Sequence, residues 1–230
     1  TSQLFTELDE TTSEIASGGR EPRGRLRISA PLLFSLTAMG KLAADFALKY
    51  PKVQLEVTTE DRPVDMIEEA YDLVIRVNPE PDESLIGRVF LHDQLVIVAS
   101  PDLPRPIDGS AVPAVVRGQA RQGEIWNVKT PTSQSGIAVN PVLSLSSLVM
   151  VRDAVRKGVG AGRLPVSLVS HDIGDGTLVQ WGDVDGPEIT LWALYPSRRL
   201  LSARVSAFLD FLRDAFPKGT SDELSAYVGR

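Results

Sequence analysis

The sequence has no cysteine and only two histidines, His92 and His171, among its 230 residues. Without cysteine the chain forms no disulfide, has no thiolate nucleophile and offers no cysteine ligand to a metal. The two histidines are too far apart in sequence for a local metal-binding pair, and we expect both in loops or on the surface. No stretch approaches the roughly 18 consecutive apolar residues of a membrane helix. We therefore predict no metal site and no membrane partner.

Positive charge is also scarce, because 30 acidic residues outnumber 24 basic ones and the net charge is −6. No run of lysine and arginine is dense enough to attract nucleic acid, so we do not expect this chain alone to bind DNA. The run GVGAG at residues 158–162 lacks the Lys-Ser/Thr ending of a phosphate-binding loop, and no GxSxG nucleophile motif occurs. The sequence predicts neither a catalytic residue nor a cofactor.

The apolar pattern of the first hundred residues alternates between strands and helices. Residues 1–17 have a short heptad seam, and Gly18 and Gly19 end it. Strands are predicted at residues 26–30, 53–57, 72–76 and 94–99. One helix is predicted between the first two strands, and a second after Pro63, with Met66, Ile67 and Ala70 on one face. Such alternation is typical of right-handed crossovers and a largely parallel sheet.

A second unit begins after the proline-rich run at residues 100–106. Residues 114–118 form a predicted strand, and residues 144–169 predict a capped helix, a glycine turn, a short strand and a proline-started helix. Residues 188–196 predict a strand. A last helix carries Val205, Phe208 and Leu212 at helical spacing, and we expect a solvated tail from Pro217.

The turn APLLFS, residues 30–35, joins the first strand to the first helix. Ligands of open parallel sheets bind beyond the carboxyl ends of the strands, and a helix N-terminus offers free N–H groups and a partial positive charge. A small carboxylate could therefore bind at this turn, with apolar side chains as a wall. Alternatively, the turn only packs the helix onto the sheet, and periodicity alone favours this second reading.

Five runs of the sequence, taken in order, resemble the regulatory half of a LysR-type transcriptional regulator over residues 24–216. The runs are GRLRISAPLLFSLTAMGKLAADFALKYPKVQLEV, YDLVIRV, SLIGRVF, LVIVASPDL and VRDAVRKGVGAGRLPVSLVSHDIGDGTLVQ. The resemblance implies an α/β fold of two Rossmann-like subdomains joined by two crossing strands, like a type 2 periplasmic binding protein. A small effector is then expected in the cleft between the subdomains.

The resemblance also implies a division of the chain. Residues 1–23 would end the linker helix and form a linker, residues 24–99 with 197–216 would form subdomain I, and residues 100–196 would form subdomain II. The crossing strands are expected near residues 98–100 and 191–195, and residues 217–230 form the tail. The chain starts at Thr1 without a signal peptide, so we expect a fragment or processed form whose winged helix-turn-helix precedes Thr1. Promoter DNA would be bound only through that domain, in the cytoplasm.

Subdomain I supplies the first set of candidate effector-binding residues. The turn would line the cleft with Ala30, Pro31, Leu32, Leu33 and Ser35, of which Ser35 can donate to an anion. Arg62 follows the end of the second strand and is therefore expected at the cleft. Arg76 ends a strand and is well placed for bidentate binding of a carboxylate. Arg62 is alternatively a solvated loop residue, and Arg76 alternatively pairs with an acid such as Asp72 or Glu60.

Subdomain II supplies the second set. Arg117 and Gln119 follow a strand at the matching position, and Ser144 and Ser146 lie near a helix N-terminus, where a serine is often an ordinary N-cap. Gly160 lies in a turn where glycine allows a ligand to approach the backbone closely. Together, the arginines and helix N-termini predict an anionic effector, expected to be a carboxylate.

Three questions remain open at the level of sequence. Arg163 stands in GVGAGRLP where the family has a larger apolar residue, and it faces either the cleft or solvent. The family dimer would use residues 36–50 and 147–157 as contacts. Alternatively, both segments only cover their own sheets. The oligomer is expected to be a dimer or a tetramer. The rival functions are a periplasmic solute-binding receptor of a transporter and an enzyme of similar two-domain shape.

Overall fold

The computed structural model describes residues 21–107, 109–129, 131–197 and 199–229. The predicted heptad helix of residues 1–17 lies outside these residues. The described chain forms two compact units, the first from residues 21–90 and 191–217 and the second from residues 91–190 and 218–229. Each unit has its own sheet, which confirms the predicted α/β class.

The sheet of the first unit has the strand order β2-β1-β3-β11-β4. Its strands are β1 (Gly24–Ala30), β2 (Val53–Thr59), β3 (Leu73–Val77), β4 (Leu85–Asp93) and β11 (Ile189–Pro196). β1 is parallel to both β2 and β3, and β11 runs antiparallel to β3. The three parallel strands therefore end at one edge of the sheet, which is where the polar candidate residues follow them.

One continuous helical segment follows β1. It consists of α1 (Leu32–Phe34), a π-helical turn (Ser35–Met39) and α2 (Gly40–Lys49). The second helix of this unit, α5 (Ala203–Ala215), begins after Ser202, whose hydroxyl accepts from the Val205 N–H at 3.3 Å. Phe46 of α2 lies 5.1 Å from Phe208 of α5, ring centre to ring centre, so aromatic packing joins the two helices.

The predicted helix after Pro63 does not form, and residues 66–70 are turns. The Asp65 carboxylate accepts hydrogen bonds from the backbone N–H groups of Ile67 and Glu68, each at 3.0 Å. These bonds have the pattern of a helix N-cap, but the segment that they start is a single turn. Ala70 has φ 55, in the left-handed region, which stops any continuation.

The sheet of the second unit has the order β6-β8-β7-β10-β5-β9. Its strands are β5 (Leu95–Ala99), β6 (Val112–Arg117), β7 (Ile125–Lys129), β8 (Gln134–Leu145), β9 (Gly162–Pro165) and β10 (Val179–Val184). Among the described residues, the β6–β8 ladder is parallel, and the ladders β7–β8, β7–β10, β5–β10 and β5–β9 are antiparallel. An isolated parallel bridge joins Ala114 to Ala161. The few residues between β7 and β8 permit only an antiparallel hairpin.

The segment that precedes β9 returns to β6. Ala161 donates its N–H to the Pro113 carbonyl and accepts from the Val115 N–H, both at 2.8 Å. A Cβ atom on the neighbouring Gly160 would lie 2.6 Å from the same Pro113 carbonyl oxygen, so the close approach of the two backbones requires glycine. The core behind these strands contains the buried rings of Trp126 and Trp181.

Three helices pack in the second unit, namely α3 (Leu148–Arg156), α4 (Val166–Gly174) and α6 (Ser221–Ser225). Ser147 caps α3 by accepting from the Val149 N–H at 3.3 Å, which agrees with the capped helix predicted within residues 144–169. The residues after Pro217, which we expected to be solvated, instead bury Leu224 and Val228. Their apolar side chains explain the difference, because burying them against the unit removes apolar surface from water.

The chain passes between the units three times. It does so within β4, after residue 90, within β11, after residue 190, and again after residue 217. We expected the first passage near residues 98–100, but it lies upstream of them, after residue 90. Strand β5 belongs wholly to the second sheet. The run LIGRVF in β4 has mostly exposed side chains, so its apolar pattern gave no clear strand signal.

We expect Gly160→Ala to destabilise the second unit by about 1–3 kcal/mol, because the new methyl group would meet backbone atoms that have no room to move. Gly174→Ala is the matched control, since a Cβ atom there meets nothing within 4 Å. We expect the control to be neutral or to stabilise by about 0.5–1 kcal/mol. Urea unfolding followed by tryptophan fluorescence measures both changes, and equal stabilities of the two variants would contradict the packing argument.

Candidate functional site

The carboxyl ends of β1, β2 and β3 form the edge at which the first unit gathers its polar side chains. Ala30 at the end of β1 pairs in register with Thr59 at the end of β2, and its carbonyl accepts from the Glu60 N–H at 2.9 Å. Ala30 and Pro31 are buried. Leu32, Leu33 and Ser35 are partly exposed as residues, and the two leucine side chains remain available at the edge.

The N-terminus of the helical segment already holds a carboxylate of this chain. The Leu32 N–H donates to Asp61 Oδ1 at 2.8 Å. The Ser35 hydroxyl is buried and has no hydrogen-bond partner among the described residues. Sequence reasoning missed Asp61, although its place directly after β2 in the run TTED was a usable signal.

Arg76 lies beside this position, on β3. Its Nη2 donates to the buried Ser29 hydroxyl at 2.9 Å and its Nη1 to the Ile75 carbonyl at 2.7 Å. Burial lowers the pKa of Arg76, and the negative charges of Asp61 and Glu60 partly offset this effect. Arg76 remains charged at neutral pH because the guanidinium of arginine is not deprotonated in proteins.

No ion pair joins Arg76 to a carboxylate within the part of the chain that the structure describes. The two acids that we considered as its partners are engaged elsewhere. Asp72 accepts from the Arg27 N–H at 2.8 Å, and Glu60 lies 3.2 Å from Arg62. Arg76 therefore supplies a half-buried positive charge whose hydrogen bonds go to uncharged oxygens.

Arg62 differs from Arg76 because the chain's own acids neutralise it. Its Nη1 and Nη2 donate to the two carboxylate oxygens of Glu69, at 3.0 and 2.9 Å. This bond raises the pKa of Arg62 and lowers the pKa of Glu69. Both alternatives for Arg62 were incomplete, since it is an exposed residue but is held in a bidentate pair.

A polar network fastens the segment that carries Asp61 and Arg62 to the sheet. The Arg27 guanidinium stacks 4.9 Å from the Tyr71 ring centre, pairs with Glu56 at 3.0 Å and donates to the Glu69 carbonyl. The Tyr71 hydroxyl lies 2.7 Å from the Thr58 hydroxyl. These contacts on both sides of residues 61–70 hold the turn in one position over the strand ends.

The candidates of the second unit lie at a similar place on its sheet. Arg117 ends β6 and pairs in register with Leu145, while Ser144 pairs with Val116. Arg117, Gln119, Ser144 and Ser146 are all exposed. The parallel β6–β8 ladder thus brings Arg117 and Ser144 to one edge. Ser147, not Ser146, caps α3, which leaves the Ser146 hydroxyl out of the cap.

Gly160 does not join that group as a ligand-facing turn. It is buried, and close backbone packing against Pro113 accounts for the glycine. The expectation that a ligand approaches the backbone at Gly160 is therefore not supported. The expected position of the effector between the subdomains stays a prediction.

The sequence left open whether Arg163 faces the cleft or solvent. In the structure it packs against side chains of the second unit. Its guanidinium lies 4.9 Å from the Trp126 ring centre and 3.0 Å from Glu124. Trp126 Nε1 also donates to Glu124 at 3.1 Å. The three side chains contact one another. The Arg163 guanidinium covers the buried Trp126 indole, and the Glu124 carboxylate balances the charge of Arg163.

Within the described residues, no group of three or more His, Asp or Glu side chains is placed to hold a metal ion. No described helix is both long enough and apolar enough to cross a membrane. The site must therefore be interpreted from its hydrogen-bond donors, its charges and its apolar wall.

Comparison with known proteins identifies the fold family. The family model described as the LysR substrate binding domain matches residues 19–217, which is most of the chain. The chain belongs to this family. Among curated relatives, the HTH-type transcriptional regulator PtxR of Pseudomonas aeruginosa is 29% identical over 222 residues, covering 92% of this chain and 70% of that protein. DmlR of Escherichia coli, also an HTH-type transcriptional regulator, is 27% identical and covers 93% and 72%.

Solved structures support the same assignment to the LysR substrate-binding family. The full-length virulence activator AphB of Vibrio cholerae, described as a member of the LTTR family, matches with a TM-score of 0.70 at 26% identity. The match covers 94% of this chain and 76% of AphB. The CrgA regulatory domain of Neisseria meningitidis matches with a TM-score of 0.70 at 23% identity, over 85% of this chain and all of that domain, and supports the fold alone. The relatives are named as transcriptional regulators, so the alternative of a transporter receptor receives no support.

We expect Arg163→Ala to lower the free energy of unfolding of this LysR-family domain by about 1–2 kcal/mol, because Trp126 loses its cover and Glu124 its counter-ion. Arg121→Ala, at an exposed position in the same unit, serves as the control and should change stability little. Urea unfolding followed by tryptophan fluorescence measures the difference. If both variants unfold at the same urea concentration, the stacked arginine contributes nothing to stability.

Proposed function

We propose that this domain senses a small-molecule effector and thereby controls DNA binding by an N-terminal winged helix-turn-helix of the full-length regulator. Membership of the LysR substrate-binding family supports the sensing role. The observation that carries the effector site is Arg76, a half-buried cation beside a helix N-terminus and a buried, unpartnered Ser35 hydroxyl. We also propose that the protein works in the cytoplasm and is not an enzyme.

The proposed effector is a small carboxylate. The Leu32 N–H already binds a carboxylate oxygen, that of Asp61, so its geometry is compatible with this group. Arg76 offers positive charge that no described carboxylate pairs with directly, and an acceptor on the ligand would satisfy the Ser35 hydroxyl. Leaving such a hydroxyl buried and unbonded costs about 1–3 kcal/mol, so a ligand that bonds to it gains affinity.

The role of each proposed residue follows from its present partners. Arg76 would form the charged hydrogen bond to the effector, while Leu32, Leu33 and Pro31 would form an apolar wall. Arg62 would contribute less, since Glu69 and Glu60 already occupy its guanidinium. Arg117, Gln119, Ser144 and Ser146 would be the contribution of the second unit, and they remain candidates by position alone.

We also propose that the protein acts as a dimer or tetramer of this chain through α2 and α3. Exposed apolar side chains on both helices support this proposal: Leu48 of α2 is 82% exposed, and Met150 of α3 is 44% exposed. Apolar side chains on the outer face of a helix can be buried against a second copy of the chain.

We expect a panel of mono- and dicarboxylic acids to contain members that raise the thermal unfolding temperature, since a ligand that binds only the folded state stabilises it. Arg76→Met should weaken the binding of such an acid by about ten- to a hundredfold, because the variant loses a hydrogen bond between charged groups. Arg62→Met is the matched control and should bind nearly as well. The assignment fails if Arg62→Met loses binding while Arg76→Met retains it.

Asp61 should compete with an acidic effector for the Leu32 N–H. We expect Asp61→Asn to tighten the binding of the same acid by about tenfold, because the neutral amide is a weaker occupant of the helix N-terminus and a negative charge beside Arg76 is removed. Calorimetric titration of both proteins measures the change. Asp82→Asn, at an exposed acid in the same unit, controls for net charge, and an equal gain in that variant would show a general effect of charge.

A further inference from the structure

The third passage of the chain between the units follows the last residue that the family model matches. The family match ends at residue 217, and the chain enters the second unit directly afterwards. We call residues 216–229 the C-terminal strap. Terminal residues order only where contacts tie them down, so the contacts of the strap indicate what it does.

The far end of the strap is docked within the second unit. Leu224 is 6% exposed and Val228 is 7% exposed, and α6 packs against α4. His171 of α4 donates from Nε2 to the Ser225 carbonyl at 3.0 Å. Thr220 and Glu223 form a capping box at the start of α6, which fixes the direction in which the chain enters the helix.

The near end of the strap runs along β4, on both sides of the passage after residue 90. In the first unit the Phe216 ring lies 5.9 Å from the Phe90 ring, centre to centre. In the second unit the His92 N–H donates to the Gly219 carbonyl at 2.8 Å. Two connections between the units are thus tied to each other immediately before and immediately after they pass.

We propose that the C-terminal strap stiffens the connection between the two units by fastening a further passage of chain to β4, in addition to β11, its neighbour in the sheet. A single extended passage bends by rotation about a few backbone dihedrals. When a neighbouring passage is tied to it on both sides, the same bend requires both chains to rotate together or the tie to open. The strap therefore limits how far one unit moves against the other. Its effect on signalling rests on the proposed sensing function, whereas the stiffening does not.

Because the chain has no cysteine, two spin labels can be placed without background. Ala47→Cys on α2 and Asn140→Cys on β8 provide exposed positions, one in each unit. Pulsed electron–electron double resonance then measures the distribution of distances between the two spin labels. Labelled protein is diluted with an excess of unlabelled protein, so that an oligomer carries one labelled copy.

Two variants release the strap. One ends the chain after Pro217, and the other, Leu224→Ser, removes a buried anchor of α6. Ala226→Ser, at an exposed position of the same segment, is the matched control. Hydrogen exchange of the His92 amide reports release directly, since this amide loses its acceptor when Gly219 leaves.

We expect the distance distribution to broaden in both release variants and to remain unchanged in Ala226→Ser. An unchanged distribution in a folded variant whose His92 amide has lost its protection would overturn the proposal. Circular dichroism verifies folding, and Leu224→Ala replaces either release variant that does not fold. No effector is needed, so a failure of this proposal and a failure of the sensing function are measured separately.

Discussion

The parallel pairing of β1 with both β2 and β3 determines where the polar residues of the first unit meet. Parallel strands end at the same edge, so the segments that follow them lie side by side although they are distant in sequence. The Asp61 carboxylate, the Arg76 guanidinium and the Leu32 N–H are brought together by this register alone. A shift of one residue would turn every side chain of β1 to the other face and dissolve the group.

The charges at this edge are unequal because their neighbours differ. Arg62 follows a strand in a sequence rich in acids and finds two carboxylates within its reach. Arg76 lies on the central strand β3, where its neighbours in the sheet are a serine hydroxyl and a backbone carbonyl. Desolvation without a carboxylate partner leaves a charge that a ligand can still neutralise. Position on a strand thus decides which arginine is suited to recognition.

Sequence patterns predicted what depends on local chemistry and missed what depends on distant contacts. Strand β1, the cap of α3 and the proline-started α4 were predictable from alternation, a serine and a proline. The turn at residues 66–70 was not, because the left-handed backbone of Ala70 stops the segment after a single turn. The roles of Asp61 and Arg163 depend on Leu32 and Trp126, which are remote in sequence, so no local pattern contains them.

The chain connects its two units through three passages. Two strands, β4 and β11, belong to the first sheet and carry the chain across as extended backbone. The third passage is not a strand, and its hydrogen bond from His92 to Gly219 lies near the end of β4. This bond restricts the last residues of β4, where a hinge between the units would bend.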